Sequence, residues 1–159
     1  MFKFIFLFIL IILGCEKSFS SDKVSNFQFK TIDNKILDLS QFYGKVVIVD
    51  FWATWCPPCT KEIPHFIELQ EKYKNEVQFI GLNVGEKESD IREFIKSIGG
   101  INYIVGYSNE RIEKLFGGIS GLPTTFIIGK DGKVKAKAIG YRSKEWFENQ
   151  IISALRESQ

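Results

Sequence analysis

Cys56 and Cys59 stand in the stretch "FWATWCPPCT", with Trp52 and Trp55 ahead of them and Pro57 and Pro58 between them. A cysteine pair at this spacing can be a structural staple, a pair of metal ligands, or a redox reagent. As a staple it closes a very small loop, and the entropy removed from the unfolded chain grows with loop length, so it would stabilise little. A structural metal site takes about four ligands. Beyond the pair, the chain offers only Cys15, near its N-terminus, and one histidine, His65, six residues past Cys59. Zinc would need carboxylates or a second chain, and copper would have to rely on the pair plus His65. No metal site is expected, and His65 reads as an exposed or half-buried helix residue.

The reagent reading draws on the neighbours. Pro57 and Pro58 lack N–H donors, which the first turn of a helix tolerates, so a helix should begin at or just after Cys56. The Cys56 sulfur would then sit at the positive end of the helix dipole, a setting that favours thiolate. Cys59, three residues on, falls on the same side of that turn. Cys56 would attack a substrate disulfide, and Cys59 would resolve the mixed disulfide. Asp50 is the one charged residue in "VVIVDFWA". Burial in a strand should raise its pKa and make it a proton acceptor near neutrality, serving Cys59; the plainer reading is a carboxylate hydrogen-bonded for structure. Glu62, one helical step beyond Cys59, either tunes that cysteine or is simply solvated. Pro64 should kink the helix without taking part in the chemistry.

These side chains need a strand before the pair and a helix after it. "KVVIVDFWA" is apolar on both parities, as in a central strand covered on both faces. From Pro57 to Tyr73, the residues Ile63, Phe66, Ile67, Leu69 and Tyr73 recur at helical spacing. Upstream, "FQFKTIDNKILDLSQF" reads as a hairpin turning at Asp33 and Asn34. Downstream come a strand in "VQFIGLNV", a helix in "SDIREFIKSIG" capped by Ser-Asp, a strand in "NYIVGY" and a capped helix in "SNERIEKLFGG". "TTFIIGKDGKVKAKAIG" is two strands joined at Asp131-Gly132, and a terminal helix carries Trp146, Phe147, Ile151 and Leu155 along one side. The alternation predicts an α/β fold with a mixed sheet and helices on both faces, in one domain.

With 21 basic and 19 acidic residues scattered along the chain, no basic patch for nucleic acid is in evidence. "EKESD", from Glu86, reads as a solvated loop or helix start. The chain opens "MFKFIFLFILIILGC": Lys3, then ten apolar residues, about half of a membrane span, as in the core of a secretory signal. The ending Leu13-Gly14-Cys15 resembles a bacterial lipobox, whose cysteine is lipidated and becomes the mature N-terminus. Residues 1–15 are therefore expected to be a lipoprotein-type signal, 16–26 a polar flexible tether, and 27–159 the folded domain. An acyl chain worth about 0.8 kcal/mol per buried methylene would hold that domain at a membrane, outside the cytoplasm.

"VVIVDFWATWCPPCTKEIP" together with "GLPTTFIIGKDGKV" resembles the envelope-anchored thiol–disulfide oxidoreductases of the TlpA/ResA type, from about Phe27 to the C-terminus. The resemblance implies a thioredoxin-like fold: a central mixed β-sheet flanked by helices, with an N-terminal β-hairpin and a central αβ insertion, here about residues 88–104. It implies a cis Leu122–Pro123 bond lying against the cysteine pair. Pro123 keeps an amide away from that spot, and Leu122 offers main-chain groups to an extended substrate strand. Trp55 and Pro57 flank the nucleophile on the same substrate surface. Asp50 stands where many TlpA/ResA members carry Asn and cytoplasmic thioredoxins carry Asp, and Glu62 matches a Glu in ResA-type proteins that tunes the site. The chain mixes the two patterns.

The expected function is a tethered thiol–disulfide reductase with a Cys56–Cys59 redox disulfide. It would need no cofactor, would be fed by a membrane electron donor and would act on exported proteins; apocytochrome c is the family's best-known kind of substrate. The competing readings are a disulfide-donating oxidase, a peroxidase, for which the local pattern is absent, and a non-catalytic module holding a metal or a partner.

Overall fold

The computed structural model describes residues 23–157. The expected signal segment with Cys15, and the expected tether up to residue 22, lie outside the described residues. Lys23 to Asn26, expected to belong to the tether, are built into the domain instead. Val24 is buried and its N–H bonds the carbonyl of Gly132 at 2.9 Å. The Asn26 side chain accepts from the Ser40 N–H at 2.9 Å.

The chain runs β1 (Gln28–Lys30), β2 (Ile36–Asp38), a 3₁₀ turn (Leu39–Phe42), β3 (Val46–Trp52), α1 (Pro57–Lys72), β4 (Val77–Asn83) and α2 (Glu88–Ser97). Then follow β5 (Ile104–Tyr107), α3 (Glu110–Leu115), β6 (Thr124–Ile128), β7 (Val134–Ile139) and α4 (Lys144–Arg156). Five strands form one sheet in the order β5-β4-β3-β6-β7. β3, β4 and β5 are parallel, whereas β6 runs antiparallel to β3 and to β7. β1 and β2 pair separately, Phe29 opposite Leu37, across a turn in which Asn34 takes φ 61°. Asparagine tolerates that left-handed conformation better than most residues.

The seven residues of β3 are all buried, as expected of a strand covered on both faces. Alternation divides them. Val47, Val49 and Phe51 join Phe29, Leu39, Ile112 and Phe116 on the face covered by the N-terminal hairpin and α3. Val46 and Ile48 join Phe66 and Leu69 of α1 and Phe147 and Ile151 of α4 on the other. Phe66 holds these helices to the sheet: its ring meets Phe147 edge-on at 4.8 Å and Phe79 at 5.1 Å. Such aromatic pairs are worth about 0.5–1.5 kcal/mol each beyond area burial.

β6 and β7 turn through Asp131 and Gly132, the latter at φ 78°, where glycine bears no Cβ penalty. At the other edge Gly106 lies under β1; a Cβ there would come within 2.8 Å of the Lys30 carbonyl oxygen and the Phe29 ring. The αβ piece is present as α2 and β5, but its cap differs from expectation. Lys87 occupies the N-cap position with no side-chain hydrogen bond, and Ser89 and Asp90 lie inside the first turn. The Ser89 hydroxyl is spent on Asp90, at 3.0 Å.

Candidate active site

β3 ends at Trp52, and the chain turns through residues 53–55 into α1, whose N-cap is Cys56. Pro57 and Pro58 take the first two helical positions and supply no N–H. The Thr60 N–H bonds the Cys56 carbonyl at 3.1 Å. The first-turn amide left over is that of Cys59, and it donates to the Cys56 sulfur at 3.4 Å. The prolines thus aim the helix's remaining N–H at a single atom. An amide donor and a helix N-terminus both stabilise negative charge on that sulfur. Cys56 and Cys59 are joined in a disulfide, S–S 2.10 Å, with Cα atoms 5.3 Å apart.

The two sulfurs have different surroundings. Cys56 lines a cavity of about 260 Å³ together with Trp55, Val84, Ile119 and Leu122, and Cys59 does not. Trp55 stands out at 68% exposure, and Pro57 is exposed beside it. Across the cavity the Leu122–Pro123 bond is cis. The Pro123 carbonyl accepts from the Gly140 N–H at 2.8 Å, and the Gly121 carbonyl from the Thr124 hydroxyl at 2.7 Å. Leu122's own N–H and C=O enter no backbone hydrogen bond among the described residues, so a polypeptide laid in the cavity would find them available.

β3 and α1 bury two carboxyl groups, Asp50 and Glu62. Asp50 sits opposite Gly81 on one side and Thr125 on the other. The Thr125 hydroxyl donates to it at 2.9 Å, but loss of water dominates and pushes its pKa up to about 7. Glu62 is fully buried on α1, which rules out the solvated reading. Its Oε1 accepts from the Arg142 N–H at 2.5 Å, whereas Oε2 has no partner among the described residues. Desolvation raises its pKa to about 8, against the pull of the Arg142 N–H, and the charge of Asp50 adds to the rise. Burial and both acids together keep the Tyr103 hydroxyl well above its ordinary range.

A family model described as Redoxin matches residues 19–155. The chain belongs to the redoxin family. Within it, the chain is 35% identical over 139 residues to the thiol-disulfide oxidoreductase ResA of Bacillus anthracis, covering 86% of this chain and 79% of that protein. It is 34% identical over 125 residues to ResA of Bacillus subtilis (strain 168), covering 78% and 69%. Among solved structures, a thioredoxin-family thiol:disulfide interchange protein from Chlorobium tepidum superposes with TM-score 0.78 at 33% identity, covering 85% of this chain and 97% of that one. This redoxin is a thiol–disulfide oxidoreductase of the ResA kind, and protein thiols and disulfides are its substrate class.

Trp55, Cys56 and Leu122 line one cavity, Cys59 is bonded to Cys56, and Asp50 and Glu62 feel each other's charge. His65 is half-buried, as expected, and lies 3.3 Å from the Tyr141 hydroxyl. No group of three or more candidate metal ligands occurs among the described residues.

Glu86 is the residue that sequence reasoning missed. Placed in a solvated run, it instead folds inward over the turn before Cys56. Its carboxylate accepts from the Thr54 N–H at 2.7 Å, from the Thr54 hydroxyl, and from the Asn83 side-chain amide at 2.6 Å. The loop leaving β4 therefore fixes the loop leaving β3. A charged residue just past a buried strand end was the only signal, and Glu86, Lys87 and Glu88 all share it.

Proposed function

We propose that this redoxin is an extracytoplasmic protein-disulfide reductase. Cys56 as thiolate attacks a sulfur of the substrate disulfide. The substrate S–S bond breaks, one substrate sulfur leaves and takes up a proton, and the other is held on Cys56 as a mixed disulfide. Cys59 then loses its proton to the Asp50 carboxylate and attacks the Cys56 sulfur. The second substrate thiol is released, and the enzyme is left with the Cys56–Cys59 disulfide. Two electrons have passed from the enzyme dithiol to the substrate, and a thiol or dithiol donor must restore them.

The observation that carries this reading is the asymmetry of the pair. One sulfur receives the helix's spare amide and lines the cavity, and the other is buried and lines none of it. An Asp50 pKa of about 7 suits a proton acceptor at neutral pH. Glu62 acts by keeping that region short of negative charge, since its own carboxyl is held protonated.

Cys15 is proposed as the lipidated N-terminus, with a membrane donor supplying electrons and exported proteins, apocytochrome c among them, as substrates. Support comes from the apolar run ending in Gly14-Cys15 and from the ResA likeness. Among the described residues, no helix is long and apolar enough to cross a membrane. Insulin reduction with a dithiol donor tests the reaction: turnover by the wild type, lost in Cys56→Ser, is expected, and no turnover by the wild type rejects it. Incorporation of radiolabelled fatty acid, lost in Cys15→Ser, tests the anchor.

A further inference from the structure

The cavity at Cys56 contains one charged group. Trp55, Val84, Ile119 and Leu122 give it apolar walls, and Glu113 of α3 lines it too. Its volume of about 260 Å³ falls below that of pockets that take cofactors, and suits a single side chain of a bound polypeptide. Glu113 is half-buried, and its carboxylate accepts one hydrogen bond, from the Ser108 hydroxyl at 2.9 Å. No ion pair engages it among the described residues, whereas the neighbouring Glu110 is exposed and is paired with Lys114 at 3.8 Å. An ionised carboxylate can accept about four hydrogen bonds, so most of Glu113's capacity is unspent.

We infer that Glu113 is a specificity residue that selects substrates bearing a lysine or arginine next to the cysteine that Cys56 attacks. The pocket has both parts such a side chain needs. Val84, Ile119 and Leu122 can cover its methylene stem, and the carboxylate takes the charged head. The exposed Trp55 ring offers a further face to the same cation. An acidic neighbour in the substrate would be repelled by the carboxylate and disfavoured.

This inference rests on thiol–disulfide exchange at Cys56, and the test separates the two. The reduced full chain is mixed with cystine-linked peptide dimers that are identical except for Lys, Gln or Glu beside the cysteine. Released thiol is followed, and kcat/KM ratios are compared. The Lys peptide should exceed the Gln peptide by about fivefold at low salt, with the Glu peptide slowest, and the spread should shrink at about 1 M salt. Glu113→Gln should bring the Lys-to-Gln ratio to about one, chiefly through KM, and Glu113→Lys should invert it. Ser108→Ala, which removes the hydrogen bond and keeps the charge, should retain the preference. Equal rates for all three peptides in the wild type, or the same loss of preference in Ser108→Ala as in Glu113→Gln, overturn the inference and leave the exchange reaction standing. Reduction of none of the peptides overturns both.

Discussion

Replacing Glu62 by glutamine should flatten the pH dependence of stability. In the folded protein the Glu62 pKa is raised from 4.5 to about 8, chiefly by desolvation, so the carboxyl stays protonated where the unfolded chain ionises it. The folded state therefore binds more protons between those values. The stability tied to this group is complete below about pH 4.5 and is lost as pH rises through about 8. One such group gives a slope of at most about 1.4 kcal/mol per pH unit. Taking about half of the full conversion, to allow for solvent screening, Glu62 accounts for about 2 kcal/mol of loss across the window. In Glu62→Gln the new side chain could still accept from the Arg142 N–H, but its amide group would lack partners where Oε2 now lies. The variant should thus be less stable at low pH, with a shallower decline on going up. Urea midpoints of the oxidised protein, measured at several pH values from about 5 to about 8, give both slopes. A slope in Glu62→Gln equal to that of the wild type would refute the assignment of a buried, protonated carboxyl.

Glu86→Ala should cost about 1–3 kcal/mol, because Thr54 and Asn83 lose a charged acceptor in a part-buried place, and it should also slow exchange at Cys56 by loosening the turn that carries it. Gly106→Ala should destabilise by about 1–3 kcal/mol, since the new methyl meets the Lys30 carbonyl and the Phe29 ring; thermal melts read it directly. Cys59→Ser should accumulate a mixed disulfide with substrate that Cys56→Ser does not form, as judged by non-reducing gels. Asp50→Asn should slow release of that intermediate at neutral pH, in single-turnover traces, more than it slows its formation.

Much of this was legible in the sequence because single residues carried local rules. The apolar run ending in Asp50 could only be a covered strand. Two prolines after Cys56 fixed where α1 starts, and Asp131-Gly132 marked the last hairpin. What was hidden depended on contacts between distant segments. Glu62 lies on α1 among polar neighbours, and only the Arg142 N–H, 80 residues away, shows that it is buried. Glu86 sat in a charged stretch that read as solvated, and the chain's path around the Cys56 loop turned it inward. The cap of α2 was misplaced because Ser89 and Asp90 satisfy each other. The first residues of the domain were assigned to the tether because Val24, isolated among polar residues, gives no periodic signal.

The most direct test of the account is the reduction potential of the Cys56–Cys59 pair, equilibrated against a glutathione or dithiothreitol buffer. A protein-disulfide reductase should lie near thioredoxin, at about −270 mV. A value near the strong oxidants, about −120 mV, would contradict the reductase reading and make the protein a disulfide donor.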